Sequence, residues 1–212
     1  MVGHTGGVVH VDRSPDGPYR GKRAFDLAVL AVVALPALVL GLLAALAIKL
    51  DDRGPVFFRQ DRVGQDGVTF QVLKLRTMIN APNPLFPDAD RITRAGRWLR
   101  RLSLDELPQL LNVLMGQMSI VGPRPTLPYQ VARYTAEQRR RLAVRPGLTG
   151  LAQVRGRNAL LWADRITLDL EYLRRQSFAF DVRVLLWSVR VVVAADVGGH
   201  AVDDPIGRVD TP

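Results

Sequence analysis

An uncharged run of 22 residues, from Leu27 to Ile48, constrains this chain more than any other feature. As a helix with a rise of about 1.5 Å per residue it would extend roughly 33 Å, enough to cross the hydrocarbon core of a bilayer. The run is longer than the usual core of a signal peptide, and no clear cleavage site follows it. The sequence therefore predicts a membrane-bound protein, whose membrane helix covers residues 22–49.

Pro36 lies near the middle of the apolar run. Because proline removes a backbone hydrogen bond and clashes with the preceding turn, we expect the helix to break there. Basic residues flank both ends of the run and give no asymmetry that would orient a spanning helix. These residues are Arg20, Lys22 and Arg23 before it, and Lys49, Arg53, Arg59 and Arg62 after it. A re-entrant helix that breaks at Pro36 satisfies both observations, and a proline-containing spanning helix is the alternative.

The chain contains no cysteine, and its three histidines, at positions 4, 10 and 200, all lie in terminal segments. Disulfides, thiolate nucleophiles and cysteine-ligated zinc are therefore excluded, and the composition fits a reducing compartment. Carboxylates must supply any acid, base, nucleophilic or metal-binding chemistry.

Basic residues outnumber acidic ones by 29 to 20, which gives a formal charge of +9. Such a balance favours polyanionic partners: nucleic acid, anionic lipid or a phosphorylated substrate. Aromatic residues make up only 7% of the chain, and no motif of a nucleic-acid-binding module is present. We therefore expect no nucleic-acid partner.

After the apolar run the sequence predicts an α+β domain that is mainly helical. Two β-like stretches, on either side of the turn at residues 64–67, form a predicted hairpin. Residues 1–21 are predicted to form a flexible tail, and the proline-rich residues 79–92 a loop. With a side-chain period of 2, Lys74 and Arg76 are expected on the same face of the second strand.

The sequence after the loop at residues 79–92 has the periodicity of helices. Leucines at positions 107, 110, 111 and 114 predict an amphipathic helix that begins at or near Asp105 and ends at Gly116. A capping box at residues 135–138 announces another helix, and residues 162–176 form a third. The last helix, over residues 182–195 with Asp181 as its expected cap, lies either in the core or in the membrane interface.

Asp105 and Glu106 are adjacent carboxylates at the predicted start of a helix, next to the first-turn proline Pro108. Taken alone, the pair fits an ordinary acidic first turn. The residues around the pair favour a phosphate-binding site. Arginines on loops restrained by proline and glycine can bind phosphate oxygens with a small loss of conformational freedom. The residues around the pair are Arg97, Arg100, Arg101, Arg124, Arg145, Arg157 and Asn158. Together they predict a site for a metal-bound diphosphate.

Asp88 and Asp90 form a D-x-D pattern similar to the metal site of many nucleotide-sugar glycosyltransferases. The pattern is short and lies in a proline-rich loop, and about 160 residues after the membrane segment are few for that fold. We expect it to be unrelated to catalysis. No Walker A, GxGxxG or GxSxG motif is present, so P-loop, dinucleotide-binding and hydrolase-elbow functions have no support.

Several longer motifs occur in order along residues 22–193. They are KRxxD before the proline-containing helix, FRQDRVG, LKLRTM, RLSLDELPQLLNVLMGQMSIVGPRP, VRPGLTGLAQVRGRNAL and LDLEYL. In this respect the chain resembles the bacterial sugar transferases, the monotopic polyprenyl-phosphate phosphoglycosyl transferases, in their small single-domain form.

This resemblance implies a re-entrant membrane helix and a catalytic domain, residues 50–195, on the cytoplasmic face of the bacterial inner membrane. Residues 196–212 would form a C-terminal tail without a recognisable motif. The implied reaction transfers a sugar-1-phosphate from a UDP-sugar to polyprenyl phosphate and releases UMP. It would require Mg²⁺ and pass through a covalent intermediate, with Asp105 as the nucleophile and Glu106 as its partner in metal binding or proton removal.

The motif positions also imply further roles. The phosphate-binding residues would be Lys74, Arg76, Arg100, Arg124 and Arg145. Arg157 and Asn158 would bind the nucleotide or the sugar, and Asp169 and Tyr172 match the closing motif. One departure is Leu35-Pro36, where many family members have Ser-Pro, and it predicts a shallower bend.

Three hypotheses thus follow from the sequence. The first is the phosphoglycosyl transferase, with membrane lipids as partners and a homodimer as a possible assembly. The second is a basic, membrane-anchored adaptor without catalysis, which the +9 charge alone supports. The third is a glycosyltransferase that uses Asp88 and Asp90 and releases UDP instead of UMP.

Overall fold

The computed structural model describes residues 17–79, 91–156 and 160–193. Within these ranges the chain is mainly helical and carries one antiparallel hairpin, as predicted. The expectations for residues 1–16, for most of the proline-rich loop and for the tail 196–212 lie outside the described residues.

The long apolar run forms one uninterrupted helix, α1, Lys22–Asp52, which continues through Pro36 and does not show the expected break there. In the described part of the chain it is one helix of sufficient length and apolarity to cross a membrane. Its middle section is exposed: Val32, Leu35 and Leu38 are 78%, 71% and 59% accessible. Exposed apolar side chains over this length would be unfavourable in water, which supports the prediction of a membrane protein.

The N-terminal end of α1 packs into the main core. Phe25 and Leu30 are buried there. Asp26 is completely buried and accepts hydrogen bonds from the Ser119 hydroxyl at 2.9 Å and from the Ile120 N–H at 3.1 Å. Because a buried carboxylate is costly unless it is bonded, these contacts fix the position of the helix on the domain.

The C-terminal end of α1 packs against the same domain. Ala44 and Ile48 are buried in a second apolar cluster. Asp51 accepts a hydrogen bond from the Ala95 N–H at 2.9 Å, and Asp52 forms an ion pair with Arg76. Both ends of the helix are therefore attached to one globular unit, while its middle is exposed.

Strands β1, Phe57–Val63, and β2, Thr69–Leu75, form the predicted antiparallel hairpin, joined by a 3-10 turn at Gln65–Gly67. The register pairs Phe58 with Lys74 and Arg62 with Phe70. Directly opposed residues share one face of a sheet, so Arg62 and Lys74 lie on the same face of the hairpin.

The segment around the two carboxylates differs from the prediction. Leu104–Glu106 form a separate 3-10 turn, and helix α3 covers Gln109–Leu114, so the expected helix start near Asp105 is wrong. Pro108 has no N–H to bond the Leu104 carbonyl, which instead accepts from the Leu107 N–H at 3.2 Å in the 3-10 pattern. Gly116, with φ of 78°, follows the helix as predicted.

The remaining elements surround this segment. Strands β3, Ser119–Val121, and β4, Gly147–Thr149, form a short parallel pair that the sequence did not predict. The capping box at Thr135 is confirmed, since its hydroxyl accepts from the Gln138 N–H. The other helices are α2 (Arg94–Arg101), α4 (Pro128–Ala132), α5 (Ala136–Arg139), α6 (Leu151–Gly156), α7 (Trp162–Arg175) and α8 (Phe178–Val193).

Asp181 is not a helix cap. It lies in the first turn of α8 and is completely buried, while the Ser177 hydroxyl accepts the Phe180 N–H at the helix start. The Asp181 carboxylate instead binds Lys22 at 2.5 Å, Tyr19 at 3.0 Å and Tyr172 at 2.8 Å. The folded unit therefore includes residues just before α1, and a buried ion pair joins α8 to the start of the membrane helix.

Gly147 of β4 packs closely against the backbone of the loop after β3. A Cβ atom on Gly147 would lie 2.1 Å from the Gly122 nitrogen and 2.3 Å from the Thr149 oxygen, both backbone atoms. We expect Gly147→Ala to destabilise the protein by about 1–3 kcal/mol, measured by chemical unfolding in detergent. Gly41→Ala is the control, because nothing lies within 4 Å of its Cβ position. Equal stability of the two variants would contradict this packing.

Candidate active site

Glu106 is the meeting point of three segments. Its Oε1 atom accepts from the Lys74 ammonium at 2.8 Å and from the Arg124 guanidinium at 2.9 Å. Lys74 lies on β2, Glu106 on the 3-10 turn before α3, and Arg124 on the loop after β3. Three chain segments that are distant in sequence thus converge on one carboxylate.

Asp105 has a different environment from its neighbour. It is 9% exposed, and within the described part of the chain its carboxylate makes no side-chain hydrogen bond and no ion pair. Burial raises the pKa of Asp105, while the nearby charges of Lys74, Arg100 and Arg124 act in the opposite direction. A carboxylate without a hydrogen-bond partner and with several cations nearby is suited to attack an electrophile.

Glu106, Lys74 and Arg124 influence one another's pKa values. Burial by itself raises the pKa of Glu106, but Arg124 and Lys74 outweigh burial and lower that pKa to about 2. Glu106 in turn raises the pKa of Arg124, and burial lowers the pKa of Lys74. Glu106 is therefore a permanently charged carboxylate that holds two cations in place beside Asp105.

Arg100 reaches the site from α2, as the sequence predicts. Its Nε atom donates to the Thr77 hydroxyl at 2.9 Å, and its terminal nitrogen lies 3.1 Å from the Met78 sulfur. Its charge acts on Asp105, but within the described structure it forms no hydrogen bond or ion pair with either carboxylate. Arg100 thus contributes positive charge on the Asp105 side of the site.

Two predicted phosphate ligands lie elsewhere. Strand β2 ends at Leu75, so Arg76 leaves the strand and binds Asp52 and the Pro55 carbonyl, the latter at 2.6 Å. Arg145 lines a small cavity with Lys22 and Asp26 at the N-terminal end of α1. Neither arginine contacts Asp105 or Glu106 in the described structure, and their role in phosphate binding stays a prediction. Arg157, Asn158, Asp88 and Asp90 lie outside the described residues.

Sequence reasoning missed Arg62. Its guanidinium donates to the Pro125 carbonyl at 3.2 Å and to the Gln60 amide oxygen at 2.6 Å. Burial and the charge of Arg124 lower the pKa of Arg62 to about 10. The period of the FRQDRVG strand and the hairpin register would have indicated that Arg62 shares a face with Lys74.

The balance of charge at the site favours an anionic ligand. Four cations, Arg62, Lys74, Arg100 and Arg124, interact electrostatically with the pair formed by Asp105 and Glu106. Four positive charges and two negative charges leave an excess of two positive charges. An excess of this size matches the charge of a diphosphate that links two organic groups.

The two carboxylates also bear on metal binding. Among the described residues, no group of three or more acidic or histidine side chains has the arrangement of a metal site. Mg²⁺ commonly takes only one or two carboxylates and completes its coordination with water and substrate phosphates. Asp105, which lacks a partner among the described residues, fits that mode, whereas one oxygen of Glu106 already binds two cations.

The sequence of this chain is similar to that of a known protein family. The family model described as "Bacterial sugar transferase" matches residues 18–195. The chain belongs to the bacterial sugar transferase family. Membership confirms the prediction of an enzyme of this family and leaves the non-catalytic adaptor without support.

Individual relatives agree with the family match. The chain is 43% identical to "Uncharacterized sugar transferase EpsL" of Bacillus subtilis, over 82% of this chain and 88% of that protein. It is 45% identical to "UDP-glucose:undecaprenyl-phosphate glucose-1-phosphate transferase" of Caulobacter vibrioides, over 82% of this chain and 70% of that protein. It is also 43% identical to "Undecaprenyl-phosphate glucose phosphotransferase" of Komagataeibacter xylinus, where the match spans 35% of that longer protein.

The ion pairs of Glu106 predict a pH-dependent contribution to stability. Its pKa in the folded protein, about 2, lies below the ordinary value of 4.5. The contribution is therefore complete above pH 4.5 and is lost as the pH falls through 2. We expect the difference in unfolding free energy between wild type and Glu106→Gln to shrink on acidification, by at most about 3 kcal/mol.

The measurement is chemical unfolding in detergent with a chelator present, at several pH values between 7 and 3. The same comparison in an Arg124→Gln background is the control, because one of the two cations is then absent. A difference between wild type and Glu106→Gln that does not change with pH would contradict this account of Glu106.

Proposed function

We propose that this protein transfers a sugar-1-phosphate from a UDP-sugar to polyprenyl phosphate and releases UMP, as the first membrane step of glycan assembly. One observation carries the proposal: within the described structure Asp105 makes no side-chain hydrogen bond or ion pair, and it lies beside a Glu106 that holds Lys74 and Arg124. The names of the Caulobacter and Komagataeibacter relatives support the same class of substrates.

The proposed reaction proceeds in two displacements on one phosphorus atom. An oxygen of Asp105 attacks the phosphorus that carries the sugar, the bond from that phosphorus to the UMP oxygen breaks, and UMP leaves with the electron pair. The product is a sugar phosphate bound covalently to Asp105. An oxygen of polyprenyl phosphate then attacks the same phosphorus, and the Asp105 carboxylate is released with formation of a lipid diphosphate sugar.

The surrounding residues fit the charges that develop during these steps. Arg124 and Lys74 lie within bonding distance of Glu106 and can hydrogen-bond phosphate oxygens with their remaining N–H groups. Arg100 adds positive charge on the Asp105 side. Such groups stabilise a phosphoryl transition state because they are already in place before charge develops.

We further propose that Mg²⁺ is required and that Asp105, together with the Glu106 oxygen that does not bind Lys74 and Arg124, would contribute its protein ligands, with substrate phosphates supplying others. Bound Mg²⁺ would neutralise phosphoryl charge. The unpartnered carboxylate of Asp105 supports this assignment, and removal of the metal by a chelator is its test.

The same proposal places α1 in the membrane as a re-entrant helix, with the catalytic domain on the cytoplasmic face. Both ends of α1 are bonded to one domain, through Asp26 at the start and through Asp51 and Asp52 at the end. A perpendicular spanning helix would separate those ends by the thickness of the bilayer. A homodimer stays a prediction.

Replacement of the proposed nucleophile is the direct test. We expect Asp105→Asn to lower lipid-dependent UMP release by about a thousandfold or more, because the amide cannot form the covalent intermediate. The assay uses purified protein in nanodiscs with undecaprenyl phosphate, Mg²⁺ and a panel of UDP-sugars. Asp61→Asn, the same change at an exposed position of β1, is the control and is expected to retain activity.

Each other outcome has a definite meaning. Release of UDP instead of UMP would support direct glycosyl transfer with Asp88 and Asp90. Activity of Asp105→Asn near that of wild type would contradict the assignment of the nucleophile. Activity that survives removal of Mg²⁺ by a chelator would contradict the metal requirement.

The topology has its own test, and the absence of cysteine makes the chain suitable for it. Arg20→Cys and Arg59→Cys place single exposed thiols on either side of α1. With a membrane-impermeant maleimide, we expect both thiols to react in inverted vesicles and neither in right-side-out vesicles. Labelling of the two positions from opposite sides would show that the helix spans the membrane.

A further inference from the structure

The loop that carries Arg124 is held by an unusual set of hydrogen bonds. Four consecutive carbonyls, of residues 123–126, each accept a bond from a different donor. The donors are the Gly147 N–H at 2.8 Å, the Arg141 guanidinium at 3.0 Å, the Arg62 guanidinium at 3.2 Å and the Val63 N–H at 2.9 Å. Every carbonyl of this stretch is therefore bonded to a part of the protein outside it.

The sequence of the loop explains why outside donors are needed. Pro123 and Pro125 have no N–H groups, so the loop cannot be held by backbone donors of its own at these positions. The prolines restrict φ, which leaves rotation of the peptide units as the main remaining freedom. A bond to the carbonyl of Arg124 itself thus fixes the peptide unit from which the active-site guanidinium projects.

The donor of that bond is Arg141, which is itself fixed. Arg141 is 4% exposed, forms an ion pair with Asp169 and donates to the Tyr134 hydroxyl at 2.5 Å. Its guanidinium also lies 5.7 Å and 5.9 Å from the ring centres of Tyr134 and Trp162. An arginine fork with this many partners has lost most of its rotational freedom.

We propose that Arg141, held by Asp169, is a positioning residue that fixes the Arg124 loop against Glu106 and Asp105. It acts through Arg124 and touches no reacting group. The inference rests on the proposed function for its kinetic consequence, but its structural part, the restraint of the loop, does not depend on the reaction.

The charge-preserving variant Arg141→Lys tests this inference. Lysine retains the charge opposite Asp169 but has a single ammonium in place of the planar fork, so it cannot reach Asp169, Tyr134 and the Arg124 carbonyl together. We expect kcat/KM for UMP release to fall about tenfold. Arg140→Lys, the same change at the neighbouring residue, is the control and is expected to stay within about twofold of wild type.

A double-variant cycle separates positioning from general stability. If Arg141 acts through Arg124, adding Arg141→Lys to Arg124→Lys should lower kcat/KM by less than about twofold further. Full additivity of the two effects would overturn the proposal. If Arg141→Lys fails to fold, Asp169→Asn, which leaves every atom of Arg141 in place, is tested in the same cycle with the same expectation.

Hydrogen exchange gives a readout that needs no substrate. In Arg141→Lys we expect the amides of residues 122, 124 and 126 to exchange about tenfold faster, with core amides of α3 and α8 unchanged. Unchanged exchange in this loop would overturn the inference even if the enzyme is active. Loop exchange that rises as expected in a protein without UMP release would contradict the proposed function and leave the restraint of the loop established.

Discussion

The double ion pair of Glu106 is the interaction on which the geometry of the site depends. It joins β2, the 3-10 turn and the loop after β3 through one carboxylate oxygen, with distances of 2.8 Å and 2.9 Å. Because it lowers the pKa of Glu106 to about 2, the carboxylate remains charged under all ordinary conditions. The adjacent Asp105 makes no side-chain hydrogen bond or ion pair among the described residues, and this asymmetry between two neighbouring carboxylates supports the proposed role of Asp105 as the nucleophile.

The segments that contact the membrane helix α1 lie next to the residues that form the candidate site. Arg23 of α1 donates to the Val113 and Leu114 carbonyls at the end of α3, the helix that follows Asp105 and Glu106. At the other end of α1, Asp52 pairs with Arg76, two residues beyond Lys74. A change in the seating of α1 would therefore act on both segments that form the ion pair of Glu106, which links membrane association to the arrangement of the catalytic groups.

The sequence predicted the hairpin, the capping box and the residues that converge on Glu106, because these depend on local patterns and long motifs. It misplaced features that depend on tertiary packing. Arg76 was expected beside Lys74, but β2 ends one residue earlier and the side chain turns to Asp52. Arg62 and Arg141 were not selected, since their importance comes from carbonyls of a loop distant in sequence. A start of α3 at Asp105 was expected because Pro108 suits a first turn, whereas the chain forms a 3-10 turn before it.

The excess of positive charge also bears on how one site could serve two substrates in turn. In the proposed reaction the UDP-sugar brings two negative charges to a site with an excess of two positive charges. When UMP leaves, the phosphosugar on Asp105 keeps one charge on its phosphate, but the carboxylate has become an ester-like acyl group and no longer carries its own. The one charge gained on the phosphate replaces the one lost from the carboxylate, so the site again has the excess of two positive charges that it had before the UDP-sugar bound. That restored excess can attract the phosphate of a lipid at the membrane surface, so one set of cations can serve the donor and the acceptor in turn.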